Sequence, residues 1–106
     1  MTRAVFLIKD SDYIGFSILG HSGFSAHGTD ILCSAISAMT MLVANTICVT
    51  YNQKAKINTD RENTKVYFEL KKKDKAATGL IKGFYNELVF LSKKYPENLK
   101  VYKIFE

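Results

Sequence analysis

Ile31-Leu32-Cys33-Ser34-Ala35-Ile36-Ser37-Ala38-Met39-Thr40-Met41-Leu42-Val43-Ala44-Asn45-Thr46-Ile47-Cys48-Val49 contains no Asp, Glu, Lys or Arg. How this run is read decides the fold. An uncharged stretch of about 20 residues is long enough to cross a bilayer as a helix. Ser34, Ser37, Thr40, Asn45 and Thr46 interrupt it, however, and strand-like segments stand close on both sides. The run is therefore expected to be a helix packed between other elements of a soluble domain, with no membrane partner. Projected at about 100° per residue, it divides into two faces. Ile31, Leu32, Ala35, Ile36, Ala38, Met39, Leu42, Val43 and Ile47 form a broad apolar half. Cys33, Ser34, Ser37, Thr40, Ala44, Asn45 and Cys48 fall on the other side, small and weakly polar. With no charge to hold it in water, the second face is also expected to pack, against another helix or a twin subunit. Small residues permit close approach, so a homodimer with helix contacts near its two-fold axis is predicted.

Towards the N-terminus, Ala4 to Ile8 is a short apolar run, as expected of a strand covered on both faces. Asp10-Ser11-Asp12 is turn chemistry, and Ile14, Phe16 and Ile18 alternate with Gly15, Ser17 and Leu19 in a second strand. Between this hairpin and the helix lies Gly20-His21-Ser22-Gly23-Phe24-Ser25-Ala26-His27-Gly28, a loop with three glycines. Thr29 or Asp30 is the natural N-cap of the helix, which should run to about Tyr51.

Towards the C-terminus, Ala55 to Asn58 and Lys65 to Leu70 read as strands joined by the polar turn 59–63. Val66, Phe68 and Leu70 point one way and Lys65, Tyr67 and Glu69 the other. From Asp74 to about Tyr95 a helix is predicted, with Ala77, Leu80, Ile81, Phe84, Leu88, Leu91 and Tyr95 on its core face and Pro96 closing it. Leu99 to Phe105 makes a last strand. The order is ββαββαβ, an α+β fold with two main helices on a mostly antiparallel sheet, one domain over residues 1–106.

Charge and thiols bound the setting. The chain carries 15 Lys+Arg against 10 Asp+Glu, a net +5. The lysines are dispersed and not massed around aromatics, so direct nucleic-acid binding is not expected. The run Lys71-Lys72-Lys73 with Lys75 is the best support for a rival reading, a non-enzymatic ribosome- or RNA-binding module. Cys33 and Cys48 lie 48 − 33 = 15 residues apart on one helix, about 22 Å along its axis, too far for a disulfide. Two thiols that cannot bridge, and no signal-peptide pattern, lead us to expect a cytoplasmic protein.

The candidate chemistry gathers around the glycine loop. If the helix starts at Thr29 or Asp30, Cys33 sits about one turn in, where N–H groups and the macrodipole favour a thiolate. Asp30 works against this unless its carboxylate turns back to cap the helix or towards a histidine. A cysteine nucleophile needs a base in reach, and the chain's two histidines, His21 and His27, both lie in the loop ahead of Cys33. Cys48 has no titratable neighbour in sequence and reads as an inert, packed residue. A zinc site from His21, His27 and Cys33 lacks both a known spacing and a fourth ligand, so neither metal nor cofactor is expected.

Gly20-His21, followed by Gly28-Thr29-Asp30-Ile31-Leu32-Cys33-Ser34-Ala35-Ile36-Ser37-Ala38, resembles the signature of the ribosomal-processing cysteine proteases. That family pairs a Gly-His with a Gly-x-Asp-Ile-(Val/Leu)-Cys-x-Ala-x-Ser-Ala helix start. The histidine-to-cysteine separation, 33 − 21 = 12 residues, agrees with the family, as do length and element order. Ser22 and Ser34 replace alanines common there, both small-for-small changes. The resemblance implies a dimeric bacterial cysteine endopeptidase that removes an N-terminal extension from a large-subunit ribosomal protein precursor. It assigns Cys33 as nucleophile and His21 as general base, with Asp30 capping the helix or orienting the loop. His27 inherits no role. Gly20, Gly23, Phe24 and Gly28 would belong to a substrate loop that opens for an extended peptide and closes to align His21 over Cys33. Phe24 is its candidate for lining an apolar pocket, with plain packing as the alternative.

Overall fold

The computed structural model describes residues 1–20 and 27–106, with side chains described for 1–20 and 31–106. β1 (Thr2–Lys9) and β2 (Asp12–Leu19) pair antiparallel, with Lys9 opposite Asp12. The two residues between them, Asp10 and Ser11, have φ of 51° and 70°. Positive φ at both central positions is what a two-residue hairpin needs to match strand twist, and Asp and Ser are short enough to adopt it. β3 (Ala55–Asp60) and β4 (Lys65–Leu70) form a second hairpin, and the sheet order is β3-β4-β2-β1-β5. β5 (Leu99–Phe105) lies parallel to β1, while the other pairings are antiparallel. The ββαββαβ α+β reading holds.

Both helices pack on the sheet face that carries Ala4, Phe6, Phe16, Ile18 and Phe68. Phe16 stacks on Phe68 at 5.1 Å between ring centres, and Phe84 of α2 (Lys75–Lys94) meets Phe16 edge-on at 5.1 Å. Aromatic burial of this kind is the largest single contribution to such a core. α2 starts where predicted: Asp74 is its N-cap, accepting the Ala77 N–H at 3.0 Å. Gly15 permits the tight spacing at the sheet centre, since a Cβ there would lie 2.5 Å from the Phe68 carbonyl oxygen.

α1 spans His27–Asn45 and runs on into a π-helical turn, Thr46–Thr50, closed by the Tyr51 N–H on the Thr46 carbonyl at 2.8 Å. Its end matches expectation; its beginning does not. Gly28, Thr29 and Asp30 lie inside the first helical turn, so neither Thr29 nor Asp30 is the N-cap and Gly28 is not loop. The N–H groups of a first turn have no intrahelical partner in any case, which lowers the cost of glycine there. An aspartate in that turn is favoured by the macrodipole as much as one at the cap. A similar shift lengthens β3: Thr59 and Asp60 pair with Val66 and Lys65, leaving the turn to residues 61–64.

The burial of α1 also departs from the two-face reading. Leu32, Ile36, Thr40, Val43 and Ile47 face the core. Ile31 and Leu42, placed in the apolar half, are 58% and 64% exposed, and Ser34, Ser37 and Asn45 are exposed as well. Thr40 is buried because its hydroxyl donates to the Ile36 carbonyl at 2.8 Å, so no polar atom is stranded. A helix lying on a sheet buries a single stripe, which rotation of α1 has centred between the two expected faces. Ile31–Thr50 remains long and apolar enough to cross a membrane by length and composition, yet four of its apolar side chains are core residues here.

Candidate active site

Cys33 is half-buried on α1 and opens onto a cavity of about 450 Å³. Ile36, Ser37, Thr40 and Met41 continue the α1 wall, and Ile18 and Val66 supply an apolar floor from β2 and β4. The β3–β4 hairpin end supplies another wall, with Asp60 and Lys65 from the strands and Arg61 and Thr64 from the turn. The third wall is Gly20, at the end of β2.

Gly20 is held closely. Its φ is +75°, its N–H donates to the Thr64 carbonyl at 2.9 Å, and a Cβ would come within 2.7 Å of the Met1 carbonyl oxygen. Only glycine meets both conditions without strain. The backbone of Gly20, one residue before His21 in sequence, is therefore fixed against the cavity. His21, Gly23 and Phe24 lie outside the described residues, and so does the expected opening and closing of their loop. His27 and Asp30 are placed by their backbone in the first turn of α1, where Gly28 also sits.

The longer α1 changes the electrostatics expected around Cys33. It follows the first helical residue by 33 − 27 = 6 positions, so its own N–H belongs to the helical ladder. The unpaired N–H groups of the helix start lie about 5–9 Å away along the axis. The helix macrodipole therefore acts on Cys33 less directly than a start at Thr29 or Asp30 would imply. Cys48, in the π-helical turn, packs against the core as expected of an inert thiol, and neither cysteine is in a disulfide.

The β3–β4 turn is well braced. Asp60 accepts the Asn63 N–H at 3.2 Å and the Asn63 side-chain amide at 2.7 Å. These bonds, the amide's first, hold the Asp60 carboxyl below its ordinary pKa. Sequence reading took this segment only as a turn. Nothing local marks it as a wall of the site, because its meeting with α1 depends on sheet order. The lysine run behaves differently: Lys73 is paired with Asp10 at 3.4 Å and Asp12 at 3.2 Å, which reduces the free positive charge there. Among the described residues no group of His, Cys, Asp and Glu has the arrangement of a metal site.

The model of the family described as cysteine protease Prp matches residues 1–100. The chain belongs to the Prp family of cysteine proteases. Membership makes it a peptide hydrolase working through a cysteine, and the matched stretch includes Gly20, His21 and Cys33. The chain is 25% identical over 97 residues to the ribosomal processing cysteine protease Prp of Bacillus subtilis (strain 168), covering 87% of each. Its fold is that of SMU.848 from Streptococcus mutans, with a TM-score of 0.90 at 21% identity over 100% of this chain and 96% of the other. It is also that of the S. aureus Prp protease solved with a covalently linked product peptide, with a TM-score of 0.86 at 19% identity over 98% and 100%.

Proposed function

We propose that this Prp protease removes the N-terminal extension of a large-subunit ribosomal protein precursor, with Cys33 as nucleophile and His21 as general base. The observation that carries the reading is the shared cavity: Cys33 opens onto the same space that Gly20, the residue before His21, walls. The name of the Bacillus subtilis relative supports the choice of substrate.

In this mechanism His21 takes the Cys33 proton and the thiolate attacks the scissile carbonyl. The tetrahedral oxyanion is held by backbone N–H groups of the helix start, which have no intrahelical partner, and not by that of Cys33, which is engaged in the helix. Collapse expels the new N-terminus, with His21 donating the proton, and water activated by His21 releases the acyl-enzyme. The apolar floor of Ile18, Ile36 and Val66 receives an apolar substrate side chain.

The protein works in this proposal as a cytoplasmic homodimer. The exposed flank of α1, with Ile31 at 58%, Met41 at 59% and Leu42 at 64%, supports a partner on that side. Incubation with the extended ribosomal precursor, read by mass spectrometry, tests the whole. A shortened product that disappears with Cys33→Ala is expected; an intact precursor after long incubation with the wild type would refute it.

A further inference from the structure

The rim of the Cys33 cavity carries two cations, Arg61 and Lys65, and one acid, Asp60. They are not equivalent. Lys65 stands opposite Asp60 in the β3–β4 ladder and lies in its field. The Asp60 carboxylate is already committed to Asn63 through both of its oxygens. Among the described residues Arg61 takes part in no ion pair, and its side chain is exposed on the cavity rim.

Its backbone is nonetheless fixed. The Thr64 N–H reaches the Arg61 carbonyl at 3.4 Å, Thr64 adopts φ +52°, and the Thr64 carbonyl holds Gly20 at 2.9 Å. A guanidinium on a braced turn, facing a cavity whose floor is apolar, is suited to bidentate capture of a planar anion. Any peptide that occupies the cavity brings such groups to it. One source is an acidic side chain near the scissile bond. The other is the carboxylate that hydrolysis of the acyl-enzyme creates at the end of the released extension.

We propose that Arg61 is the carboxylate-binding residue of the cleft, recognising a carboxylate of the substrate or of the acyl-side product. This rests on the protease reading above and names a specificity determinant for it. Cys33 and His21 carry the bond-breaking, while Arg61 sets which peptide is held and how fast product leaves.

Two series of peptides test the assignment. In the first, Glu and Gln alternate at each position flanking the cut; in the second, acyl-side product peptides end in a carboxylate or a carboxamide. An exposed but bidentate contact should favour the acid by about 5- to 10-fold, in KM for substrates or in inhibition constant for products. The preference should shrink as salt rises. R61Q should erase it, acting far less on the Gln and carboxamide peptides than on the acids, and R61K should keep part of it. No acid preference in either series, a preference that survives R61Q, or an equal loss for all peptides would each overturn the assignment. Failure to cut any peptide would instead overturn the protease reading. The acid-over-amide comparison is then still read by calorimetric binding to the Cys33→Ala protein.

Discussion

Replacing Gly20 with alanine perturbs the one backbone position that joins the cavity wall to the proposed base. Gly20 has φ +75°, where an L-residue costs about 1–2 kcal/mol relative to an ordinary conformation. The new Cβ would also lie 2.7 Å from the Met1 carbonyl oxygen, closer than carbon and oxygen normally approach. Met1 can retreat somewhat, but the next residue is pinned by the Thr2 N–H on the Asn98 carbonyl at 2.8 Å. Relief by rotating φ would break the Gly20 N–H bond to Thr64, at 2.9 Å. Together these give an expected loss of about 2 kcal/mol, or a fall in melting temperature of about 10 °C. Urea unfolding followed by circular dichroism measures it, beside Gly83→Ala as control. Gly83 is exposed on α2 with nothing within 4 Å of an added Cβ, so alanine there should stabilise by about 0.5–1 kcal/mol. Cleavage by Gly20→Ala, assayed where the variant is still folded, should fall well beyond what its stability explains, because His21 follows directly. An urea midpoint and cleavage rate both equal to wild type would refute the reasoning.

His21→Ala should lower turnover by about 10²- to 10⁴-fold while His27→Ala has a modest effect, and single-turnover cleavage would expose a reversed order. Alkylation should label Cys33 faster than Cys48, and Cys48→Ala should retain cleavage; equal labelling would argue against an activated Cys33. Leu42→Glu places a charge on the exposed flank of α1 and should shift light-scattering mass from dimer to a monomer near 12.0 kDa without loss of helicity. A wild type already monomeric at micromolar concentration would show that this flank needs no partner.

The candidate catalytic residues are named by local signals in the sequence. Gly20-His21 and the Gly28-to-Ala38 stretch are contiguous motifs, and the candidate thiol is separable from Cys48 by its surroundings in sequence. The start of α1 was misplaced because Thr29 and Asp30 suit a cap and a first turn almost equally well. Its buried stripe was misjudged for a different reason. Hydrophobic projection ranks residues by type, whereas the sheet beneath chose Leu32, Ile36, Thr40, Val43 and Ile47 by position and left Ile31 and Leu42 outside.

The order of elements, the pairing of β1 with β2, the start of α2 near Asp74 and the strand Leu99–Phe105 follow from residue pattern alone, since each depends on neighbours a few positions away. The site did not. Arg61, Thr64 and Lys65 line the same cavity as Cys33 because β4 pairs with β2, which brings the β3–β4 turn to Gly20. That pairing joins segments some fifty residues apart, where no local propensity acts and burial of the face carrying Phe16, Ile18 and Phe68 selects the register.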